Sequence, residues 1–284
     1  MRQPRLSWRI ESDEQNVIQT AYHILVASSP ELLEQGKGDI WDSGKIESDA
    51  SQWITYQGKT LKCNAPYYWK VKIDTNKGAT NWSAPAFWTT GLFNEADWQG
   101  QWIGLDRAAP GDSETRWSRL AARYLRKEFA VKKSVKRATV HIAGMGLYEL
   151  FINGQRIGNQ VLAPAPTDYR KTILYNTYDV TSLLQTENAI GVTLGNGRFY
   201  TMRQNYKPYK IPTFGYPKLR LNLIVEYADG SKETIATNTS WKLTTEGPIR
   251  SNNEYDGEEY DARKELGAWT QTGYDDKNWM PAQR

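Results

Sequence analysis

Apolar and polar residues alternate with a period of two over much of the chain, and stretches with a helical period are few. Residues 68–73 (YWKVKI) put Tyr68, Lys70 and Lys72 on one face and Trp69, Val71 and Ile73 on the other. Residues 218–227 (KLRLNLIVEY) place Leu219, Leu221, Leu223 and Val225 on a single face. Side chains two apart share a face of a strand, so both segments read as strands with one face buried. Further strands are expected at 21–27 (AYHILVA), 53–56 and 86–90, then at 124–131, 138–142, 148–152 (YELFI), 188–194 (NAIGVTL) and 234–236. Turn residues punctuate them: SSP at 28–30, DSG at 42–44, QG at 57–58 and NKG at 76–78. Asn153–Gly154 and Asp229–Gly230 are hairpin signals, because both turns want positive φ. Helix is expected only at 31–35 and 113–122, with a short turn at 180–184 opened by Asp179.

This pattern predicts an all-β chain. The short strands of the first ninety residues suit a small β-sandwich. The longer span beyond them suits a larger jelly-roll sandwich. Residues 91–100 (GLFNEADWQG), with a glycine at each end, read as the connection. The expected boundaries are 1–92 for the first domain, 93–100 for the linker and 101–284 for the second domain.

Composition narrows the chemistry. The single cysteine, Cys63, excludes an internal disulfide framework and a thiolate metal site. His23 and His141 stand too far apart in sequence to suggest a multi-histidine centre. No apolar run approaches the roughly 18 residues of a spanning helix. The start, MRQPRLSW, lacks the apolar core of a signal peptide. The formal net charge is +4. Up to Gly91 basic and acidic residues balance, so the excess lies in the second part.

Three constellations carry candidate chemistry. The first is the basic stretch of Arg116, Arg119, Arg123, Arg126, Lys127, Lys132, Lys133, Lys136 and Arg137. It reads as a solvated strand face and turn, because its cations do not alternate cleanly enough to make a phosphate-facing row. The second is the acidic run Glu254, Asp256, Glu258, Glu259 and Asp261. It could supply carboxylates to a sugar or coordinate Ca²⁺, although it lacks the EF-hand spacing. Equally, it reads as a turn at Asp256–Gly257 with Arg263 paired to an acid. The third mixes Phe199, Tyr200, Tyr206, Tyr209, Phe214 and Tyr216 with Asn196, Arg198, Arg203, Gln204 and Asn205. Rings stack on the C–H faces of sugars, and amide and guanidinium groups bind their hydroxyls. The same residues also read as core-edge aromatics in a proline-punctuated surface loop. There is no GxSxG, GxGxxG or P-loop, so nucleophilic hydrolysis and nucleotide use lack a motif.

Several stretches together resemble the N-terminal region of bacterial α-L-rhamnosidases, glycoside hydrolase family 78. In the first part these are PRLSWRIES (4–12), QTAYHILVA (19–27), IWDSGKIESDAS (40–51), YYWKVKIDTNKG (67–78) and WSAPAFWTTGL (82–92). They are similar to the fibronectin type III-like module that opens many of these enzymes. In the second part GLYELFINGQRIGNQVLAPAPTDYRKTILYNTYDVTSLL (146–184), NAIGVTLGNGRFY (188–200) and YDGEEYDAR (255–263) resemble the family's galactose-binding-like jelly roll. MRQNYKPYKIPTFGYPKL (202–219) fits the loop and strand that follow.

The resemblance implies a fibronectin type III-like sandwich followed by that jelly roll, in an inverting hydrolase of terminal α-L-rhamnose. In the family the acid and base are glutamates on an (α/α)₆ barrel after these β domains. No amphipathic helix repeats are left in this chain to build one, so no catalytic residue is assigned. The implied partners are a rhamnose-containing glycan and the family's C-terminal catalytic domain, with no nucleic acid and no membrane span. Family habit implies a periplasmic or secreted enzyme, with the cytoplasm still open. The two β domains are then a scaffold, or the jelly roll binds carbohydrate, with Ca²⁺ a possible cofactor; a free-standing enzyme is the remaining reading. The carbohydrate-binding candidates are Asn196, Arg198, Tyr200, Arg203, Asn205, Tyr206, Asn253, Asp256, Glu258 and Asp261.

Overall fold

The alternating segments form antiparallel strands in the computed structural model, which describes residues 2–107, 120–200 and 214–284. The chain divides into two units, Met1–Asp97 and Trp98–Arg284.

The first unit holds β1 (Arg5–Leu6), β2 (Gln19–Ala27), β3 (Trp41–Glu47), β4 (Ile54–Thr55), β5 (Pro66–Thr75), β6 (Gly78–Ala79) and β7 (Ala86–Thr89). β2 lies between β3 and β5, and β5 also pairs with β6 and β7. β1 pairs with β4. The alternation decides the core: Ile24, Val26, Tyr67, Val71 and Ile73 point inward, with Trp8, Trp41, Trp69 and Trp88 packed around them. α1 (Pro30–Glu34) starts where Ser29 caps the Leu32 N–H and Pro30 presets φ.

One expected turn is a strand. Asp42, Ser43 and Gly44 lie inside β3, where the register against β2 shifts between His23 and Leu25. The Ile24 N–H finds the Ser43 hydroxyl at 2.8 Å, and Gly44 takes φ +59. The polar triplet marks a bulge in the ladder instead of its end.

The second unit holds β8 (Ile103–Gly104), β9 (Arg123–Ala130), β10 (Val135–Met145), β11 (Leu147–Ile152), β12 (Gln155–Ile157), β13 (Tyr175–Asp179) and β14 (Glu187–Gly195). Then come β15 (Lys218–Tyr227), β16 (Lys232–Ala236), β17 (Lys242–Thr244), β18 (Ile249–Asn253), β19 (Gly257–Tyr260) and β20 (Met280–Pro281). One sheet runs β13-β10-β15-β16, with β8 also on β15; the other runs β12-β11-β14-β9-β17-β20. The core lies between them. Val140 and Ile142 of β10 and Leu219, Leu221, Leu223 and Val225 of β15 face Leu150, Ile152, Ile190, Val192 and Leu194 of β11 and β14. Asn153 and Gly154 join β11 to β12 with φ of 50° and 82°, as a two-residue hairpin requires. Asp179 accepts from the Thr181 N–H at 2.9 Å and opens the expected short turn. The helix expected at 113–122 falls mainly outside the described residues; Leu120, Ala121 and Ala122 are not helical.

The outer faces of both sheets are partly covered, and this corrects the reading of the basic stretch. Arg123 and Arg126 are fully buried. Arg126 donates to the Trp269 and Gln271 carbonyls at 3.0 Å each, and it pairs with Asp276 and Glu128. Its guanidinium lies over the Tyr274 ring. The C-terminal segment therefore covers this strand, which local sequence could not reveal. Arg137 pairs with Glu226 and Lys133 with Asp229. Arg116 and Arg119 lie outside the described residues.

On the other sheet, His141 is buried beneath Trp98 and Tyr175. Its Nδ1 is 3.0 Å from the Thr177 hydroxyl. Burial, with the Arg137 charge adding to it, lowers the imidazole pKa to about 4. The unfolded chain, with an ordinary histidine, therefore binds more protons between pH 4 and 6.5. The stability gained by keeping His141 neutral is complete above pH 6.5. It falls by on the order of 3 kcal/mol as the pH drops to about 4. Urea denaturation from pH 7 to 4 should show this slope for the parent chain, and His141→Gln should flatten it. Leu221→Ala, at a fully buried site, should cost about 2–5 kcal/mol in the same measurement.

Candidate carbohydrate-binding site

Chemistry gathers where β14 ends. Gly195 runs against the hairpin of β18 and β19: a Cβ there would lie 2.8 Å from Asn252 Oδ1. The close approach lets the Asn196 N–H donate to that oxygen at 2.6 Å. Asn196 Nδ2 donates to the Leu120 carbonyl at 2.7 Å and the Asn252 carbonyl at 2.8 Å. Next along the chain, Arg198 Nη1 donates to Glu254 Oε1 at 2.7 Å and to the Tyr255 hydroxyl at 3.2 Å. The adjacent carboxylate raises the Arg198 pKa.

Residues from Pro166 to Arg170 line the other side. Asp168 accepts from Arg170 Nε at 2.9 Å and Nη2 at 3.1 Å. These bonds hold the Asp168 pKa below its usual range. The Tyr169 ring meets Phe199 and Phe214 edge-on at 5.2 and 5.3 Å. Its hydroxyl is buried with no hydrogen-bond partner, and burial raises its pKa. Between these groups lies a concavity of about 590 Å³, lined by Pro166, Thr167, Asp168, Arg170, Arg198 and Phe214.

The structure distributes the expected site residues unevenly. Arg198 lines the concavity. Asn196 is buried and ties Leu120 to the hairpin. Tyr200 is buried and stacks on Tyr216 at 5.8 Å, and Phe199 is buried against Tyr169 and Phe214. Of the two readings of these rings, their burial fits the core-edge one: neighbouring rings cover them. Arg203, Asn205 and Tyr206 lie outside the described residues, as do Gln204 and Tyr209.

In the acidic run, Asn253 Oδ1 accepts from the Tyr255 and Asp256 N–H groups at 2.8 and 2.9 Å. Asn253 Nδ2 donates to Asp256 Oδ2 at 3.1 Å, which makes a local turn. Glu258 sits exposed on β19. Asp261 is held bidentately by Arg263, whose hydrogen bonds lower its pKa to about 2. Among the described residues, no group of three or more His, Cys, Asp or Glu side chains could hold a metal ion. Pro166, Thr167, Asp168, Tyr169 and Arg170 were not singled out as site residues from sequence, and Glu254 stood in the acidic run but not among the carbohydrate-binding candidates. The closely spaced Asp168, Tyr169 and Arg170 after two prolines carry the local signal that points to them.

The family described as Alpha-L-rhamnosidase N-terminal domain matches residues 133–284. This chain belongs to that family. The Rha78A-like N-terminal immunoglobulin domain matches residues 1–94, so the first unit is an immunoglobulin-like sandwich and the second is the rhamnosidase jelly roll. An alpha-L-rhamnosidase of Formosa agariphila is 40% identical, over 97% of this chain and 31% of its own length. The structure of the Dictyoglumus thermophilum alpha-L-rhamnosidase is 40% identical with a TM-score of 0.89, matching 99% of this chain and 32% of that one. The Streptomyces avermitilis enzyme, solved with L-rhamnose, is 25% identical with a TM-score of 0.86, matching 100% of this chain and 43% of that one. The chain thus spans about a third of the length of the first two.

Asn196→Ala would strand the Leu120 and Asn252 carbonyls in a buried place. It should cost about 1–3 kcal/mol by urea denaturation, whether or not sugar is present.

Proposed function

We propose that this chain is the non-catalytic N-terminal part of an inverting α-L-rhamnosidase that releases terminal α-L-rhamnose from glycans or glycosides. The observation that carries the reading is the match to named α-L-rhamnosidases over nearly the whole chain but only about a third of their length. In this reading the acid and base lie on a catalytic domain outside these 284 residues. Inversion uses a water activated on the face of the sugar opposite the leaving group. The two sandwiches then act as a scaffold for that domain. No described helix is long and apolar enough to cross a membrane, and the proposed location is the periplasm or the exterior.

A second reading has the jelly roll holding carbohydrate itself, as a module independent of any scaffold role. The concavity beside Arg198 favours it, because it joins guanidinium donors to an aromatic wall.

A polypeptide carrying this chain and extended to the length of its relatives should release the aglycone from an aryl α-L-rhamnoside. Proton NMR of the first-formed sugar should show the β anomer. The 284-residue chain alone should release none. Release by the short chain, or an α product from the long one, would refute the proposal.

A further inference from the structure

The concavity in the second unit has an uneven chemical lining. Among the described lining residues Arg170 and Arg198 are cations, Asp168 is the anion, and Phe214 and Pro166 are apolar; Glu254, beside the lining, pairs with Arg198. Asp168 is already occupied by Arg170 Nε and Nη2. Arg198 uses Nη1 on Glu254 and Tyr255, and no described residue takes the Nε and Nη2 donors of its fork. A guanidinium fork matches a carboxylate bidentately and binds it more strongly than a neutral hydroxyl. Behind this fork, Tyr169, Phe199 and Phe214 form a packed aromatic group. Its one hydroxyl, on Tyr169, is buried without a partner. Its pKa responds to the charges of Glu254 and Arg198, so it lies within their electrostatic reach. The volume, about 590 Å³, falls in the range of roughly 300–1,000 Å³ common for small-ligand sites.

We propose that this concavity is a subsite for an acidic sugar residue, with the carboxylate on the Arg198 Nε–Nη2 fork, Arg170 Nη1 as a second donor beside it, and the ring face against Phe214. The proposal rests on the carbohydrate-binding reading above and names the ligand class for it. A rhamnose-bearing glycan with a neighbouring uronate would then be held through the uronate, leaving its rhamnose end free.

The test is titration calorimetry of the 284-residue chain with four probes: a rhamnosyl-glucuronate disaccharide, its methyl ester, L-rhamnose and inorganic phosphate. The free acid should bind saturably at millimolar concentration or tighter. The ester should bind roughly tenfold more weakly, because the charge-assisted bonds are lost. Added salt should weaken the acid and leave the ester little changed. Arg198→Gln should weaken the acid by a similar factor and abolish the difference between acid and ester. Arg170→Gln, at an exposed side chain, should weaken the acid without lowering the melting temperature. Phe214→Ala should weaken acid and ester alike.

Equal binding of acid and ester would overturn the proposal. So would phosphate competing at the same concentration, which would mark a plain anion site, or no saccharide heat at millimolar concentration. Those results would leave rhamnoside hydrolysis by the longer polypeptide untouched. Conversely, loss of that hydrolysis with acid–ester discrimination intact would refute the enzyme reading and keep the subsite.

Discussion

The second unit depends on one constraint: each of its two sheets must hide one apolar face from water, and they do so against each other. Leu219, Leu221, Leu223 and Val225 on β15 have no exposed surface. Neither do Ile190, Val192 and Leu194 on β14. Burying a side chain of this size is worth about 1.5–3 kcal/mol. A register slip by one residue would turn the whole row toward solvent. Register is thus fixed along both strands, and with it the point at which β14 stops and Asn196 begins.

What happens at the strand ends follows from that. Once Gly195 is fixed, Asn252 can reach the Asn196 N–H and Arg198 can reach Glu254. The concavity is built by loops held on a rigid sandwich, an arrangement common for binding sites. The outer sheet faces tell a different story. Arg126 and His141 are buried there beneath segments from elsewhere in the chain. Arg126 is stabilised by carbonyls and carboxylates of the C-terminal segment. His141 is instead kept neutral at ordinary pH by its burial, with the Arg137 charge adding to it.

Membership of the rhamnosidase N-terminal family gives these features a context. The strongest period-two segments, 68–73 and 218–227, were legible because apolar residues recur on one face for several turns of the pleat. β13, with the sequence YNTYD, was not legible, since neither of its faces is cleanly apolar. β3 was misread at Asp42–Gly44 because a bulge and a turn draw on the same residue types. In the candidate site, Arg198 was legible by type. Asp168 and Arg170 were not, because the distance in sequence from 168 to 198 conceals that they share a wall.

By itself the sequence determined the all-β class, the hairpin at Asn153–Gly154 and the set of apolar positions, because these depend on local periodicity and on φ. It also carried the family motifs in order. Only the tertiary structure decided which cations are exposed, which rings are covered and which polar groups converge. Arg126 and Arg198 look alike in a list of residues. One is buried under the C-terminal segment and the other faces a concavity. The difference comes from long-range packing, which places residues far apart in the chain side by side and which no local pattern encodes.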